Sequence, residues 1–320
     1  MARFRRARLQ GRAGVVCRTR ATLRQNRGSS SRNYTESFGV SAPAKSSDLR
    51  TRLATAIVLA VLILGALSFK SGVVWALLVS VFCLAAAWEA GRLTKLSPNL
   101  QIVLFALVAA CILALAALLR STSVNVAALT VFLMIASVFW VVLAPLELLK
   151  RPITTTPVVT LIRMPVLIGA AWLSAVSLER VGTAFLIAVV MITVAADVGG
   201  YFLGRAFGKV KLAPSISPGK TREGAMGGVL AAALWTLGAA AVLRVADTAG
   251  ELAVAAAVGA MLGVLAVIGD LWESQLKRQS GMKDSSQLLP GHGGVLDRID
   301  AHLAVLPVAT LILSIVRPMW

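Results

Sequence analysis

From Leu53 to Arg317 the chain is a succession of apolar runs, most of them about 17–24 residues long, separated by short polar punctuation. A helix needs about 20 apolar residues to cross the hydrocarbon core of a bilayer. Nine runs meet that length, at 53–69, 73–91, 100–119, 125–147, 158–177, 183–203, 225–243, 252–272 and 301–317. Hydrophobic residues make up 58% of the chain and charged residues only 14%. A soluble globule carries about 25% charged residues, so two soluble domains of this composition would lack the polar surface to cover themselves. The expected fold is an all-α polytopic integral membrane protein with nine transmembrane helices.

The net charge of +18 resembles a nucleic-acid signature until it is located. Thirteen of the 32 Lys and Arg residues fall within residues 1–52, against two of the 14 acids, Glu36 and Asp48. Residues 1–50 therefore read as a basic, disordered cytoplasmic tail with no apolar run and no secretory leader. Attraction to anionic headgroups, at about 1 kcal/mol per basic residue, is one role for it; a true start near Val40 is another reading. No nucleic-acid partner is expected. Cys17, Cys83 and Cys111 offer neither a disulfide framework nor metal-ligand spacing. Outside the tail, connections on one side hold thirteen basic residues and those on the other side five. By the positive-inside rule the N-terminus lies in the cytoplasm and the C-terminus outside. Residues 51–182 then form the N-terminal and middle helices, and 183–320 a catalytic region.

Two connections on the cytoplasmic side, 204–224 and 273–300, are much longer than the rest and hold most of the polar variety. Function is expected there and at the adjoining span ends. Asp197 lies inside the sixth span and Asp270 near the end of the eighth, and ionisable groups within spans default to function, with packing as the bland alternative. Asp297 and Asp300, at i and i+3, share one helix face as the ninth span opens. With Asp270 they suggest three carboxylates at one interface, a donor set suited to a hard cation. Lys220, Thr221 and Arg222 follow a small Pro- and Ser-containing run, while Lys277, Arg278 and Lys283 lie between Asp270 and the acid pair. The GxxxxGK[ST] spacing fails for want of its first glycine, so a nucleotide-binding P-loop is excluded. Basic side chains with hydroxyls and glycine amides still suit a polyphosphate beside a cation. His292, among Gly291, Gly293 and Gly294, is placed to hydrogen-bond a phosphate or a carboxylate, or to serve structure alone. His302 reads as a packing or capping residue.

The segment SQLKRQSGMKDSSQLLPGHGGVLDRID, residues 274–300, resembles the signature of the phosphatidate cytidylyltransferases, also called CDP-diacylglycerol synthases. The fixed positions are Ser274, Lys277, Arg278, Lys283, Asp284, Pro290, His292, Gly293, Gly294, Asp297, Arg298 and Asp300. Residues 197–224 and 269–274 resemble two further blocks of that family. The resemblance implies condensation of CTP with phosphatidate to CDP-diacylglycerol and pyrophosphate, with Mg²⁺ and the option of a second cation. It implies Asp270, Asp297 and Asp300 as metal ligands. It implies Lys220, Thr221, Lys277 and Arg278 on the CTP phosphates, with Ser217, Glu223 and Ser274 in support. Arg298, Lys283 and His292 are expected at the phosphatidate headgroup, and Asp197 and Asp284 are counted with the catalytic set. The implied setting is the bacterial inner membrane, with the active site facing the cytoplasm, membrane lipids as surroundings and a homodimer as candidate assembly. Two rivals stand beside this reading. A CTP-dependent lipid-alcohol kinase would transfer the γ-phosphate, and an ion-coupled transporter would release no pyrophosphate.

Overall fold

The computed structural model describes residues 46–69, 71–120, 126–150 and 152–316. The expected tail falls outside them except for its last helical residues. Among the described residues nine helices are long and apolar enough to cross a membrane, and the protein is an integral membrane protein. They are α1 (Ser46–Ser68), α2 (Val73–Leu93), α3 (Pro98–Arg120), α4 (Val126–Lys150), α5 (Pro157–Val181), α6 (Thr183–Phe207), α7 (Arg222–Val242), α8 (Ala249–Ser280) and α9 (Leu296–Val316).

Local chemistry sets the helix ends. Pro157 opens α5, where its missing N–H is no loss. At α8, Thr248 and Glu251 form a reciprocal capping box, and Gly281 closes the helix at φ +79°, a conformation glycine adopts without strain. One turn of α4, Phe139–Leu143, is wound as a π-helix. It turns Phe139 and Trp140 into the protein interior, where both are buried.

The helices are enclosed to different degrees. Half or more of the membrane-spanning stretch is buried in α5 and α9, while α1 leaves nearly all of its side chains outward, as a lipid-facing helix must. α6 and α7 approach through glycines. A Cβ on Gly199 would lie 2.7 Å from the Gly227 carbonyl oxygen, and one on Gly228 would lie 2.6 Å from that of Ala196. Small residues bring membrane helices this close because lipid supplies no hydrophobic drive between them. α8 and α9 meet in the same way: a Cβ on Gly269 would lie 2.7 Å from the Asp300 carbonyl oxygen. That contact sets Asp270 beside the first turns of α9.

Two features differ from the expected loops. The span expected to end at residue 272 continues as helix to Ser280, so Lys277 and Arg278 ride on its last turns. The Glu273–Lys277 ion pair at i, i+4 and basic residues at a helix C-terminus both favour the extension. Within 204–224 the chain folds into an antiparallel hairpin, β1 (Lys211–Ala213) and β2 (Ser217–Thr221).

Candidate active site

The hairpin is fastened at three points. The Arg222 N–H donates to the Val210 carbonyl at 2.8 Å. The Glu223 carboxylate accepts the backbone N–H groups of Lys209 and Val210 at 3.1 and 3.2 Å. Arg278 Nε, from α8, donates to the Ile216 carbonyl at 3.0 Å. Glu223 and Arg278, both expected at CTP, brace the hairpin. Thr221 caps α7, its Oγ1 accepting from the Gly224 N–H at 3.1 Å. Ser217 lies half-buried in β2, paired with Ala213.

This bracing presents Lys220 to α8, where its ammonium pairs with Asp270 Oδ2. Ser274 Oγ donates to Asp270 Oδ1 at 3.2 Å. Beside the pair a cavity of about 400 Å³ opens between α6, α7 and the hairpin. Asp197, Tyr201, Arg205, Lys220 and Thr221 supply its polar lining, and Gly200, Gly204, Gly219, Gly224 and Gly228 its bare walls. Glycine walls let a ligand approach the backbone itself. Asp197 and Asp300 both lie within electrostatic reach of Asp270 and Lys220. Asp300 Oδ1 accepts the Ala301 N–H at 2.6 Å.

A second cluster sits where α8 meets the loop into α9. Lys277 pairs with Glu273 one turn earlier and with Asp297 Oδ1 at 2.7 Å. Asp297 Oδ2 accepts the backbone N–H groups of Ser285 at 3.0 Å and Gly294 at 2.8 Å. Asp297 is therefore engaged by protein donors on both oxygens, while Asp300 lies within electrostatic reach of Asp270. Sharing a helix face did not bring the two carboxylates to one point, because the folded loop claims the first of them. The expected Asp270–Asp297–Asp300 set is divided. No group of three His, Cys, Asp or Glu side chains arranged to hold a metal occurs among the described residues.

The remaining expected residues lie along the loop. Lys283 and Asp284 are exposed, with no side-chain hydrogen bond or ion pair among the described residues. Arg298, also exposed, donates from Nε to the His292 carbonyl at 3.0 Å. His292 Nδ1 is buried without a hydrogen-bond partner among the described residues. His302 has the packing role expected of it, its Nε2 standing 2.8 Å from Thr193 Oγ1.

Sequence reasoning passed over three intramembrane charges. Glu89 of α2 is fully buried and grips the loop into α9. Arg163 of α5 forks onto Glu147 of α4, with nitrogen–oxygen distances of 2.7 and 3.3 Å. Glu147 Oε2 accepts Trp272 Nε1 at 2.9 Å, which steadies α8 two residues past Asp270. The principle that singles out Asp197 and Asp270, an ionisable group within a span, applies equally to these three.

Comparisons with known proteins identify the family. The model of the cytidylyltransferase family matches residues 50–316. A phosphatidate cytidylyltransferase of Pseudomonas aeruginosa is 36% identical over 276 residues, covering 83% of this chain and 97% of the relative. One of Haemophilus influenzae is 48% identical over 129 residues, 38% of this chain and 43% of its own length. One of Staphylococcus epidermidis is 39% identical over 132 residues, 41% of this chain and half of the relative. A family match spanning nearly every described helix, with a relative aligned almost end to end, leaves one conclusion: the chain belongs to the cytidylyltransferase family.

Proposed function

We propose that the protein transfers the CMP unit of CTP to phosphatidate, leaving CDP-diacylglycerol in the membrane and releasing pyrophosphate. The observation that carries this reading is the cavity lined by Lys220 and Asp197, beside the Lys220–Asp270 ion pair, which opens between membrane-spanning helices in a chain of the cytidylyltransferase family. A phosphatidate oxygen is already a nucleophile at neutral pH, so no strong general base is required. The obstacle is repulsion between two anions, and catalysis reduces to positioning and charge stabilisation. The phosphatidate oxygen forms its bond to the α-phosphorus of CTP in line as the bond to the β-phosphate oxygen breaks.

The chain's own residues divide the work. Lys220, at the cavity edge, turns from Asp270 to the triphosphate, and Thr221 and the glycine backbone border the same anion. Lys277, held by Glu273 and Asp297, keeps a fixed positive charge beside the site. Lys283, Arg298 and His292 face the headgroup of the lipid. Asp270 and Asp300 suit Mg²⁺, which is commonly bound through one or two carboxylates and completed by substrate phosphates and water. The donor chemistry fits: both are hard oxygens, within electrostatic reach of each other, and a lysine ammonium already neutralises Asp270. When bound, the ion would offset the charge that develops on the phosphates. The bias of basic residues toward this end supports a cytoplasmic site in a bacterial inner membrane, where soluble CTP reaches it.

The test is the fate of label from CTP. Purified protein given Mg²⁺, phosphatidate and CTP labelled in the cytosine ring should carry that label into the lipid, with release of pyrophosphate. Label entering only from the γ-phosphate would establish a lipid kinase instead, and no turnover by folded protein would refute the proposal.

A further inference from the structure

Glu89 lies in the interior of α2, far in sequence from every segment discussed so far, and its side chain is fully buried. Four donors converge on its carboxylate. Oε1 accepts Ser286 Oγ at 2.5 Å and the Val295 N–H at 3.0 Å. Oε2 accepts Ser285 Oγ at 2.9 Å and the Leu296 N–H at 2.6 Å. An ionised carboxylate is acceptor-only with about four lone-pair sites, so these four donors satisfy it completely. Two of them are backbone amides at the start of α9, where a negative group also complements the helix dipole.

The loop is built around this grip. A Cβ on Gly294 would lie 2.7 Å from both Glu89 oxygens and would collide with Ser285 Oγ. Gly294 therefore allows the backbone to close over the carboxylate, while its own N–H reaches Asp297. Ser285 joins the two anchors, its hydroxyl on Glu89 and its N–H on Asp297.

We propose that Glu89 is a positioning residue of the active site: it draws Ser285, Ser286 and the first turn of α9 into one unit and so fixes Asp297 against Lys277. Glu89 touches no substrate, and its influence passes through the orientation of Lys277 and the loop. The activity readout rests on the cytidylyltransferase reading; a proteolysis readout does not.

Glu89→Gln tests it at nearly constant size. The amide NH₂ replaces one acceptor oxygen. A serine hydroxyl can turn to accept from it, but the Val295 or Leu296 N–H cannot. The expected result is a kcat lowered about a hundredfold, as small displacements of a reacting geometry produce, with the KM for CTP raised less than about threefold. Cleavage by trypsin after the exposed Lys283 should quicken at least about tenfold, because local opening exposes the bond. The paired change Ser285→Ala with Ser286→Ala keeps the carboxylate and both amide bonds, so kcat should fall by less than in Glu89→Gln but still measurably, about tenfold. Wild-type kcat in folded Glu89→Gln would overturn the proposal even if cleavage quickens, since Glu89 would then be an anchor without effect on the site. If Glu89→Gln fails to fold, the double-serine variant decides: unchanged kcat and unchanged cleavage overturn it. If the unsubstituted protein makes no CDP-lipid, the functional reading fails, and unchanged cleavage in the variants would separately overturn the tether.

Discussion

The two acidic clusters at this end of the protein use the same residue types to opposite ends. Around Lys220, Asp270 keeps 26% of its side chain exposed and Lys220 keeps 29%, beside an open cavity. Around Lys277, the exposures fall to 6% for Asp297, 2% for Glu273 and 0% for Glu89. In the first cluster the donors on Asp270, Lys220 and Ser274, are side chains, and part of its surface stays exposed. In the second, Glu89 and Asp297 already hold protein donors on both oxygens. Backbone N–H donors fixed in place and deeper burial thus set the second cluster apart, although sequence shows only that acids lie close together. Burial sharpens the contrast, since a charge removed from water must be paired and hydrogen-bonded within the protein.

Substitutions should break the two clusters in different ways. The largest effect is expected at the open one. Asp270→Asn and Asp300→Asn keep size and remove charge, and each should lower turnover at least about a hundredfold while the protein remains folded. Assays per mole of monodisperse protein would show this. At the closed cluster, Lys277→Met leaves Glu273 and Asp297 buried without their cation. A loss of about 3–5 kcal/mol of stability is expected, visible as a lower thermal midpoint in detergent. Substantially less activity and an unchanged midpoint would mean that Lys277 serves substrate alone.

A smaller effect is expected at the hinge between the clusters. Arg278→Ala releases the hairpin from α8 without unpairing a buried charge. The KM for CTP should rise about tenfold, with a smaller loss in kcat, measured by initial rates across CTP concentrations. Asp247→Asn, on an exposed connection at the other end of α7, should leave both constants unchanged. An effect there equal to that of Arg278→Ala would show that the readout reports general destabilisation.

How much of this was legible in sequence depended on the range of the interaction. The nine spans could be read because hydropathy is a local sum, and even the glycine-lined α6–α7 region stood out by its motif. The helical extension to Ser280 was missed because the span was ended where apolarity ends, although Glu273 and Lys277 already sat at i, i+4. The hairpin was missed because it depends on Glu223 and Arg278 gripping its backbone from other elements. The pairing of Asp297 with Lys277, rather than with Asp300, is decided by Ser285 and Gly294 amides that no spacing rule contains. Glu89 could have been flagged as a charge within a span, but its partners lie about two hundred residues away in sequence.

The division of the carboxylates is tested most directly by titrating Mg²⁺ against turnover for Asp270→Asn and Asp297→Asn side by side. A lost ligand shifts the titration, whereas a lost positioning group lowers its ceiling. The account predicts that Asp270→Asn needs a higher Mg²⁺ concentration for half-maximal rate, and that Asp297→Asn keeps the midpoint of the unsubstituted protein with a reduced plateau. If Asp297→Asn shifts the midpoint as far as Asp270→Asn does, Asp297 is a cation ligand and the division drawn between the two clusters is wrong.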